Sequence, residues 1–359
     1  MSERVYNFSA GPSIMPESVL KRAGDEIMNY GMSGMSVMEM SHRSAVFQEI
    51  FDKTKAALKA ALNVPDTHEI LFLQGGATLQ FAAIPMNLMC ARSADYAITG
   101  NFSGKAAKEA EKYGTVNIAA DTTPTGHDRI PQQAELKLSA DAEYFYYCDN
   151  NTIYGTQWHY VPKTDAPLVC DMSSDILSQR VEVEKFGLIY AGAQKNMAPA
   201  GLTVVIVDKR LAGRELAFTP EIMSYRTLIE KDSMLNTPPC WCIYMLSLML
   251  DWVQQQGGVI AMEQLKRERA GLIYDVLDNS RLYIAHAQPD SRSDMNVTFR
   301  TPSAELDAQF IKGAAERGLV NVKGHKLSGG MRASLYNAMP LEGAQKLAEY
   351  MKYFEVHNV

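Results

Sequence analysis

The stretch L-I-Y-A-G-A-Q-K-N-M-A-P-A-G-L-T-V-V-I-V, running from Leu188 to Val207, decides how the chain folds. Its first four residues, Leu188 to Ala191, form an apolar run of the kind that makes a buried strand. Small residues follow, and among them a single lysine, Lys195. A Pro-Ala-Gly turn then leads into a second apolar, β-branched run, Leu202 to Val207. The connection is shorter than the roughly dozen residues a parallel crossover needs, so the second strand is expected antiparallel to the first. Lys195 then sits just past a strand end, fenced by Gly192, Ala193, Ala198 and Gly201. Few neighbours there could pair its charge. A lysine so placed is a candidate for a depressed pKa and for Schiff-base chemistry; the plain alternative is a surface lysine in a loop between strands.

Outward from this stretch, strands and helices alternate. Strands are expected at Glu69–Leu73, Tyr96–Thr99, Val116–Ala119, Tyr144–Cys148 and Leu168–Cys170, the last ending at Asp171. Helices are expected at Thr78–Leu88 and Lys105–Tyr113, with Pro85 a possible kink in the first. Upstream, a helix from Glu17 should bury Leu20, Ala23 and Ile27 and stop at Gly31, and a second should bury Phe47, Ile50, Phe51, Leu58 and Leu62. The pattern is α/β, a mainly parallel sheet covered on both faces by helices. After the helix Trp241–Val253, Gly257-Gly258 marks a hinge. Beyond it the order turns α+β: helices Met262–Leu277, Ala304–Glu316 and Leu341–Phe354, with strands near Tyr283, at Asn296–Phe299, Leu319–Val322 and Met331–Ser334. The expected domains are therefore a large one over 16–256 and a small C-terminal one over 257–359, with 1–15 a separate N-terminal segment.

Composition narrows the function classes. The 359 residues are 47% hydrophobic and 21% charged, ordinary for a globular protein with a large core. A net charge of −6 argues against general affinity for nucleic acid or anionic membrane. The five cysteines are odd in number, lie mostly in apolar runs and show no C-x-x-C spacing, which suits reduced thiols in the cytoplasm. No apolar signal region opens the chain, and Cys240–Leu250 is too short to span a bilayer.

Three features carry chemistry. Leu71-Phe72-Leu73-Gln74-Gly75-Gly76-Ala77-Thr78 reads as strand, tight turn and helix N-terminus, where free N–H groups suit a phosphate. Neither a G-x-G-x-x-G nor a P-loop sequence occurs; Gly100-Asn101-Phe102-Ser103-Gly104-Lys105 is the nearest miss. Asp171 ends a buried strand, where α/β folds bind ligands; it is either a helix cap or an acid facing a protonated ring nitrogen. With Lys195 on the neighbouring strand end, these make a phosphate cradle, an acid and a lysine at one sheet edge, the set that pyridoxal phosphate requires.

The motif Y-A-G-A-Q-K-N-M-A-P-A-G-L-T closely resembles the cofactor-lysine motif of phosphoserine aminotransferases. So do Asn7-Phe8-Ser9-Ala10-Gly11-Pro12, Glu39-Met40-Ser41-His42-Arg43 and Asn236-Thr237-Pro238-Pro239. The block from Gly324 through His325 and Arg332 to Pro340 resembles that family in particular. The resemblance spans essentially the whole chain and implies a fold-type I pyridoxal-phosphate transferase of the class V aminotransferases. It implies an N-terminal segment packed with the small domain, and a homodimer with shared active sites. It implies that Lys195 carries the cofactor and shuttles a proton, and that Asp171 partners the ring nitrogen. Gly76, Ala77, Thr78 and Gln194 would surround the phosphate, Asn236 and Thr237 would reach it from the other subunit, Phe102 would stack on the ring, and Thr152 would touch the cofactor. Arg332 would hold the substrate carboxylate, and His42, Arg43 and His325 its second acid group. Two positions depart from some relatives: Thr78 and Lys326 stand where those have arginine.

The implied reaction is reversible exchange between 3-phosphohydroxypyruvate plus glutamate and phosphoserine plus 2-oxoglutarate, a step of serine biosynthesis. The 4-phosphohydroxythreonine reaction of vitamin B6 synthesis, which some relatives also catalyse, stays open. The alternative within the class is an alanine–glyoxylate or serine–pyruvate type, which would not need the cluster of His42, Arg43, His325 and Lys326. A cysteine desulfurase would need an exposed cysteine on a mobile loop, which the cysteine positions do not offer. A cofactor-free binding protein is disfavoured by the intact Lys195 and Asp171. No metal, nucleic acid or membrane is implied.

Overall fold

A computed structural model describes residues 4–90 and 92–358. The first elements are β1 (Tyr6–Asn7), α1 (Glu17–Glu26), α2 (Ala45–Leu62), β2 (His68–Leu73), α3 (Gly76–Leu88), β3 (Ser93–Ile98), α4 (Asn101–Ala110) and β4 (Thr115–Asp121). Next come β5 (Phe145–Cys148), the short β6 (Asn150–Asn151) and β7 (Thr156–Gln157), β8 (Leu168–Asp171), β9 (Phe186–Gly192) and β10 (Thr203–Asp208). The rest are α5 (Tyr225–Glu230), α6 (Cys240–Gln255), α7 (Gly258–Asn279), β11 (Ile284–Ala285), β12 (Asn296–Arg300), α8 (Ala304–Glu316), β13 (Leu319–Val320), β14 (Met331–Ser334) and α9 (Leu341–Val356).

Seven strands form the main sheet in the order β2-β10-β9-β8-β5-β3-β4. As the short connection predicts, β10 runs antiparallel to β9, with Thr203 opposite Gly192, and antiparallel to β2 on its other side. The remaining neighbours pair in parallel. Because side chains alternate along a strand, the central strands divide their residues between two cores. Phe72, Phe145, Cys170, Ile189 and Ile206 face α1, α2 and α6; Leu71, Tyr146, Val169, Tyr190 and Val205 face α3, α4 and α5. Both faces being covered explains why β9 and β10 read as continuous apolar runs. Asp171, two residues after Val169, points to the α3 and α4 side.

Several sequence expectations shift. In α1 the buried residues are Val19 and Ala23, while Leu20 and Ile27 are about two-fifths exposed. The stripe facing α6 thus runs through Val19 and the small Ala23, one position off the expected face. Helix α4 begins at Asn101, four residues before the expected start, because Ser103 Oγ accepts the N–H groups of Thr99 and Gly100 and closes the first turn. Helix α3 starts two residues early, at Gly76, and runs through Pro85 to Leu88.

Beyond Gly257, the N-cap of α7, and Gly258, its first residue, both at positive φ, a second apolar cluster forms around the three-stranded sheet β11-β12-β14. It contains Ile273, Val297, Phe299, Phe310, Ala333, Leu347 and Phe354, together with Phe8 from the N-terminal segment. That segment also lends β1, which pairs in parallel with β13, Tyr6 opposite Leu319. All five cysteines are free. Among the described residues, no helix is long and apolar enough to cross a membrane.

Candidate active site

The loops leaving the carboxyl ends of β2, β3, β5, β8 and β9 converge at one edge of the sheet, where open α/β sheets bind ligands. Asp171, the closing residue of β8, is buried there. Its Oδ1 accepts the Ser173 N–H at 2.9 Å and its Oδ2 accepts the Tyr190 hydroxyl at 3.0 Å. Ser173 Oγ in turn accepts the Gly192 N–H at 3.0 Å, locking the ends of β8 and β9 together. Both donors to Asp171 are neutral. The site therefore presents a buried carboxylate suited to a cationic N–H.

Lys195 lies three residues past β9. Its Nζ donates to Thr152 Oγ1 at 2.8 Å and sits 5.3 Å from the centre of the Phe102 ring. The Ser13 hydroxyl bonds the Lys195 carbonyl, and the Ser13 N–H bonds the Gln194 carbonyl at 3.0 Å, so the N-terminal segment clamps this turn. Desolvation lowers the Lys195 pKa; the Asp171 charge opposes that shift and the Arg332 charge adds to it. The amine is thus biased toward its neutral, nucleophilic form.

Gly192 brings the third component in. A Cβ at this position would lie 2.9 Å from Gln194 Oε1, so a larger residue would push the Gln194 side chain, and 3.5 Å from Ala77 Cβ, which places the first turn of α3 against the lysine turn. Helix α3 starts from Gly75 at φ 90° with no side-chain cap. The N–H groups of Gly76, Ala77 and Thr78 are left as free donors at a helix N-terminus, a ready cradle for an anion.

Arg332, on β14, reaches into the same edge: its Nη1 donates to the Thr152 carbonyl at 3.2 Å. Its Nε is buried and has no partner among the described residues, which leaves a donor for an anion. Burial lowers the Arg332 pKa. His325 Nδ1 accepts the Leu327 N–H at 3.2 Å. Burial lowers the His325 pKa, and the charges of Arg332, Lys326 and Lys105 lower it further. These groups form one basic cluster, and Lys105, in the first turns of α4, is a member that sequence reading passed over.

The structure therefore gathers Lys195, Asp171, Thr152, Phe102, Gln194, Ala77 and Arg332 within one chain. It links neither His42 nor Arg43 to them by a side-chain hydrogen bond among the described residues. Those two precede Ser44, the N-cap of α2. Asn236 and Thr237 lie beside the glycine turn of their own chain: Asn236 Nδ2 donates to Gln74 Oε1 at 3.1 Å, and Gln74 Nε2 to the Thr237 carbonyl at 3.3 Å. Sequence reading also missed Ser173 and Tyr190. The parallel register that sets Tyr190 directly opposite Asp171 is the signal that finds the second.

Comparison with known proteins identifies the family and the fold. The family described as Aminotransferase class-V matches residues 5–347. A phosphoserine aminotransferase from Bacillus cereus is 49% identical over 358 residues, covering 99% of both chains. The solved phosphoserine aminotransferase from Bacillus circulans subsp. alkalophilus superposes with a TM-score of 0.97 at 43% identity and full coverage of both chains. A pyridoxal-phosphate-bound phosphoserine aminotransferase from Trichomonas vaginalis gives 0.94 at 40% identity, over 97% of this chain and 100% of its own.

Proposed function

The chain belongs to the class V aminotransferases, and from that premise we propose that it is a pyridoxal-phosphate-dependent phosphoserine aminotransferase whose chemistry is carried by Lys195 and Asp171. It exchanges the amino group between glutamate and 3-phosphohydroxypyruvate, giving 2-oxoglutarate and O-phosphoserine, in serine biosynthesis. The observation that carries the residue assignment is the convergence on one sheet edge of an uncapped helix N-terminus, a buried carboxylate with neutral donors and a desolvated lysine.

The residues fit the cofactor. The free donors of Gly76, Ala77 and Thr78, with Gln194, would hold its phosphate; Phe102 would cover its ring, Thr152 would line it, and Asp171 would bond its ring nitrogen. Bound through Lys195, it supplies a sink for the electron pair left at the substrate Cα when a proton is removed. Lys195 does the proton work: released by the incoming amino group, its neutral amine would take the proton from the substrate Cα and deliver it to the cofactor carbon to which the lysine had been joined, help worth roughly 10²–10⁴-fold. Thr152 holds the Nζ in place for this. Arg332 grips the α-carboxylate through its buried, unpartnered donor. His325, with His42 and Arg43 from a second copy, takes the distal phosphate or carboxylate. Thr78 and Lys326 offer a hydroxyl and a point charge where some relatives have a guanidinium fork.

The same reading includes a homodimer, in which Asn236 and Thr237 complete the partner's phosphate site. It is supported by the lack, among the described residues, of any side-chain hydrogen bond from His42 or Arg43 to their own chain's cluster, and by the solvent-facing Met28, Met32, Met35 and Met38 just before them. It divides the chain into 1–15, 16–256 and 257–359, supported by the separate apolar clusters on either side of Gly257 and by the β1–β13 pairing. A cytoplasmic location is consistent with the free cysteines.

The test is a panel of keto acids with glutamate as donor, followed by 2-oxoglutarate release. 3-Phosphohydroxypyruvate should exceed glyoxylate and pyruvate by orders of magnitude, and the 4-carbon phosphohydroxy analogue measures the vitamin B6 reaction alongside. Preference for glyoxylate or pyruvate would replace this reading with the alanine–glyoxylate type.

A further inference from the structure

Behind Asp171 lies a line of hydroxyls that the proposed chemistry does not use. Tyr190 stands opposite Asp171 across the β8–β9 ladder and donates to Asp171 Oδ2 at 3.0 Å. A phenol has one proton to give. With that of Tyr190 engaged by the carboxylate, the 2.8 Å contact between the Tyr146 and Tyr190 hydroxyls must run from Tyr146 to Tyr190. The line has one polarity, Tyr146 to Tyr190 to Asp171, and it crosses three neighbouring strands, β5, β8 and β9. It is sealed from water: Tyr190 is 0% exposed, Tyr146 1% and Asp171 6%. Burial, and then the nearby Asp171 charge, push both phenols well above their ordinary pKa, so both remain protonated donors. Tyr96 stacks on Tyr146 at 4.8 Å between ring centres and fixes that ring.

Packing alone does not call for these hydroxyls. The same layer holds Val169, Leu188, Val205 and Val207 together with Tyr96, Tyr144 and Tyr225; the Tyr96 and Tyr144 hydroxyls pair with each other at 2.5 Å, whereas that of Tyr190 is spent on a carboxylate, where phenylalanine would fill the same space without a buried polar group to satisfy. A donor to a carboxylate stabilises its ionised form, and hydrogen bonds in a row polarise one another in a low-dielectric interior. Resting on the reading that Asp171 faces the cofactor's ring nitrogen, we infer that Tyr190, reinforced by Tyr146, is a positioning residue that fixes the Asp171 carboxylate by its Oδ2, so that the carboxylate stays turned toward the ring nitrogen. Without the Tyr190 hydroxyl the carboxylate is free to turn away from the ring nitrogen, and the ring would lose part of the contact that favours its protonated, electron-accepting form.

The test uses wild type, Tyr190→Phe, Tyr146→Phe and Asp171→Asn, each stripped of cofactor and reloaded with pyridoxal phosphate carrying ¹⁵N in the ring. The readouts are the ring-nitrogen chemical shift, the cofactor dissociation constant and the melting temperature of the apoprotein. Asp171→Asn should move the nitrogen signal to that of an unprotonated pyridine. Tyr190→Phe should move it part of the way and weaken cofactor binding roughly tenfold. Tyr146→Phe, which removes no direct contact to Asp171, should move it in the same direction by less, and it decides the matter if Tyr190→Phe does not fold. A lowered melting temperature with an unmoved nitrogen signal in both tyrosine variants, while Asp171→Asn shifts it, means a packing role and overturns the inference. An unmoved signal in Asp171→Asn overturns instead the placement of Asp171 against the ring.

Discussion

At the scale of the residue, Lys195 is where the fold works against its own stability for the sake of chemistry. Its pKa is lowered from the ordinary 10.5, chiefly by desolvation. The unfolded chain therefore binds that proton more readily than the folded one, and folding stability rises with pH between the lowered value and 10.5. Below that window the cost is complete; above 10.5 it is gone. Apo Lys195→Met is accordingly expected to melt above the wild-type apoprotein at pH 7, with the gap closing as pH approaches 10.5. Melts at several pH values check this, and a gap that does not respond to pH refutes the assignment. Borohydride reduction of the loaded enzyme, followed by peptide mapping, should find the cofactor on Lys195 alone. The basic residues separate by role in the same way. Removing a charge-assisted contact costs about 1.5–3 kcal/mol, on the order of ten- to a hundredfold. Arg43→Ala should lower kcat/KM for phosphoserine and glutamate by that factor while barely changing it for serine or alanine, which lack a distal anion. Arg332→Ala should harm all four. An unchanged phosphoserine-to-serine ratio in Arg43→Ala would remove Arg43 from the distal site.

At the scale of the element, the site depends on how helices begin. Helix α3 starts from Gly75 at φ 90°, where a Cβ would also lie 2.8 Å from Leu79 Cβ. Gly75→Ala should therefore lose about 1–3 kcal/mol and reopen the first turn that offers its N–H groups to the phosphate. Ser303→Ala at α8 is the control: Ser303 Oγ accepts the Leu306 N–H at 3.3 Å, far from the site in sequence and fold. It should lose about 1 kcal/mol and leave cofactor affinity alone. Urea melts and cofactor titrations on both variants separate the two effects; equal loss of cofactor affinity in both would show that α3 has no special part. Helix starts are also where the sequence was least legible. The strand–helix alternation, the antiparallel step of β10 and the buried stripe of α2 follow directly from apolar spacing. Asn101-Phe102-Ser103-Gly104 looks like a loop, and only the backward bonds of Ser103 make it a helix that carries Phe102 into the site. The two-residue strands β6 and β7 are too short to show a period at all, although the loop they form holds Thr152. Tyr146 and Tyr190 lie in apolar runs where the sequence predicts only packing; their polarity matters because the sheet register sets them beside Asp171.

At the scale of the whole molecule, buried amides join the two halves of the site. Asn150, just after β5, donates to Asn296 Oδ1 on β12 at 2.7 Å, and Asn296 Nδ2 donates to Ser334 Oγ on β14 at 2.9 Å. The Tyr336 hydroxyl then bonds the Ala10 carbonyl of the N-terminal segment at 2.8 Å. Arg332 and Lys195 themselves meet at Thr152, Arg332 Nη1 donating to its carbonyl at 3.2 Å and Lys195 Nζ to its hydroxyl at 2.8 Å. Among the described residues no side-chain hydrogen bond ties His42 or Arg43 to that cluster, and Asn236 and Thr237 bond Gln74 of their own glycine turn. On the proposed function, one chain supplies the groups that move the proton, while the groups for the distal anion come from two copies. The consequence can be measured by mixing Lys195→Ala with a variant in which Asn236 and Thr237 are both alanine, each weakly active alone. In a mixed dimer one site has the intact Lys195 of one chain and the intact Asn236 and Thr237 of the other, while the second site has both lesions. Random exchange makes about half the dimers mixed, each with one good site of two, so activity should climb to about a quarter of wild type. Mass spectrometry must show that mixed dimers have formed. If they have and activity stays at the level of the separate variants, Asn236 and Thr237 serve their own chain's site, and the shared-site reading fails while the roles of Lys195 and Asp171 stand.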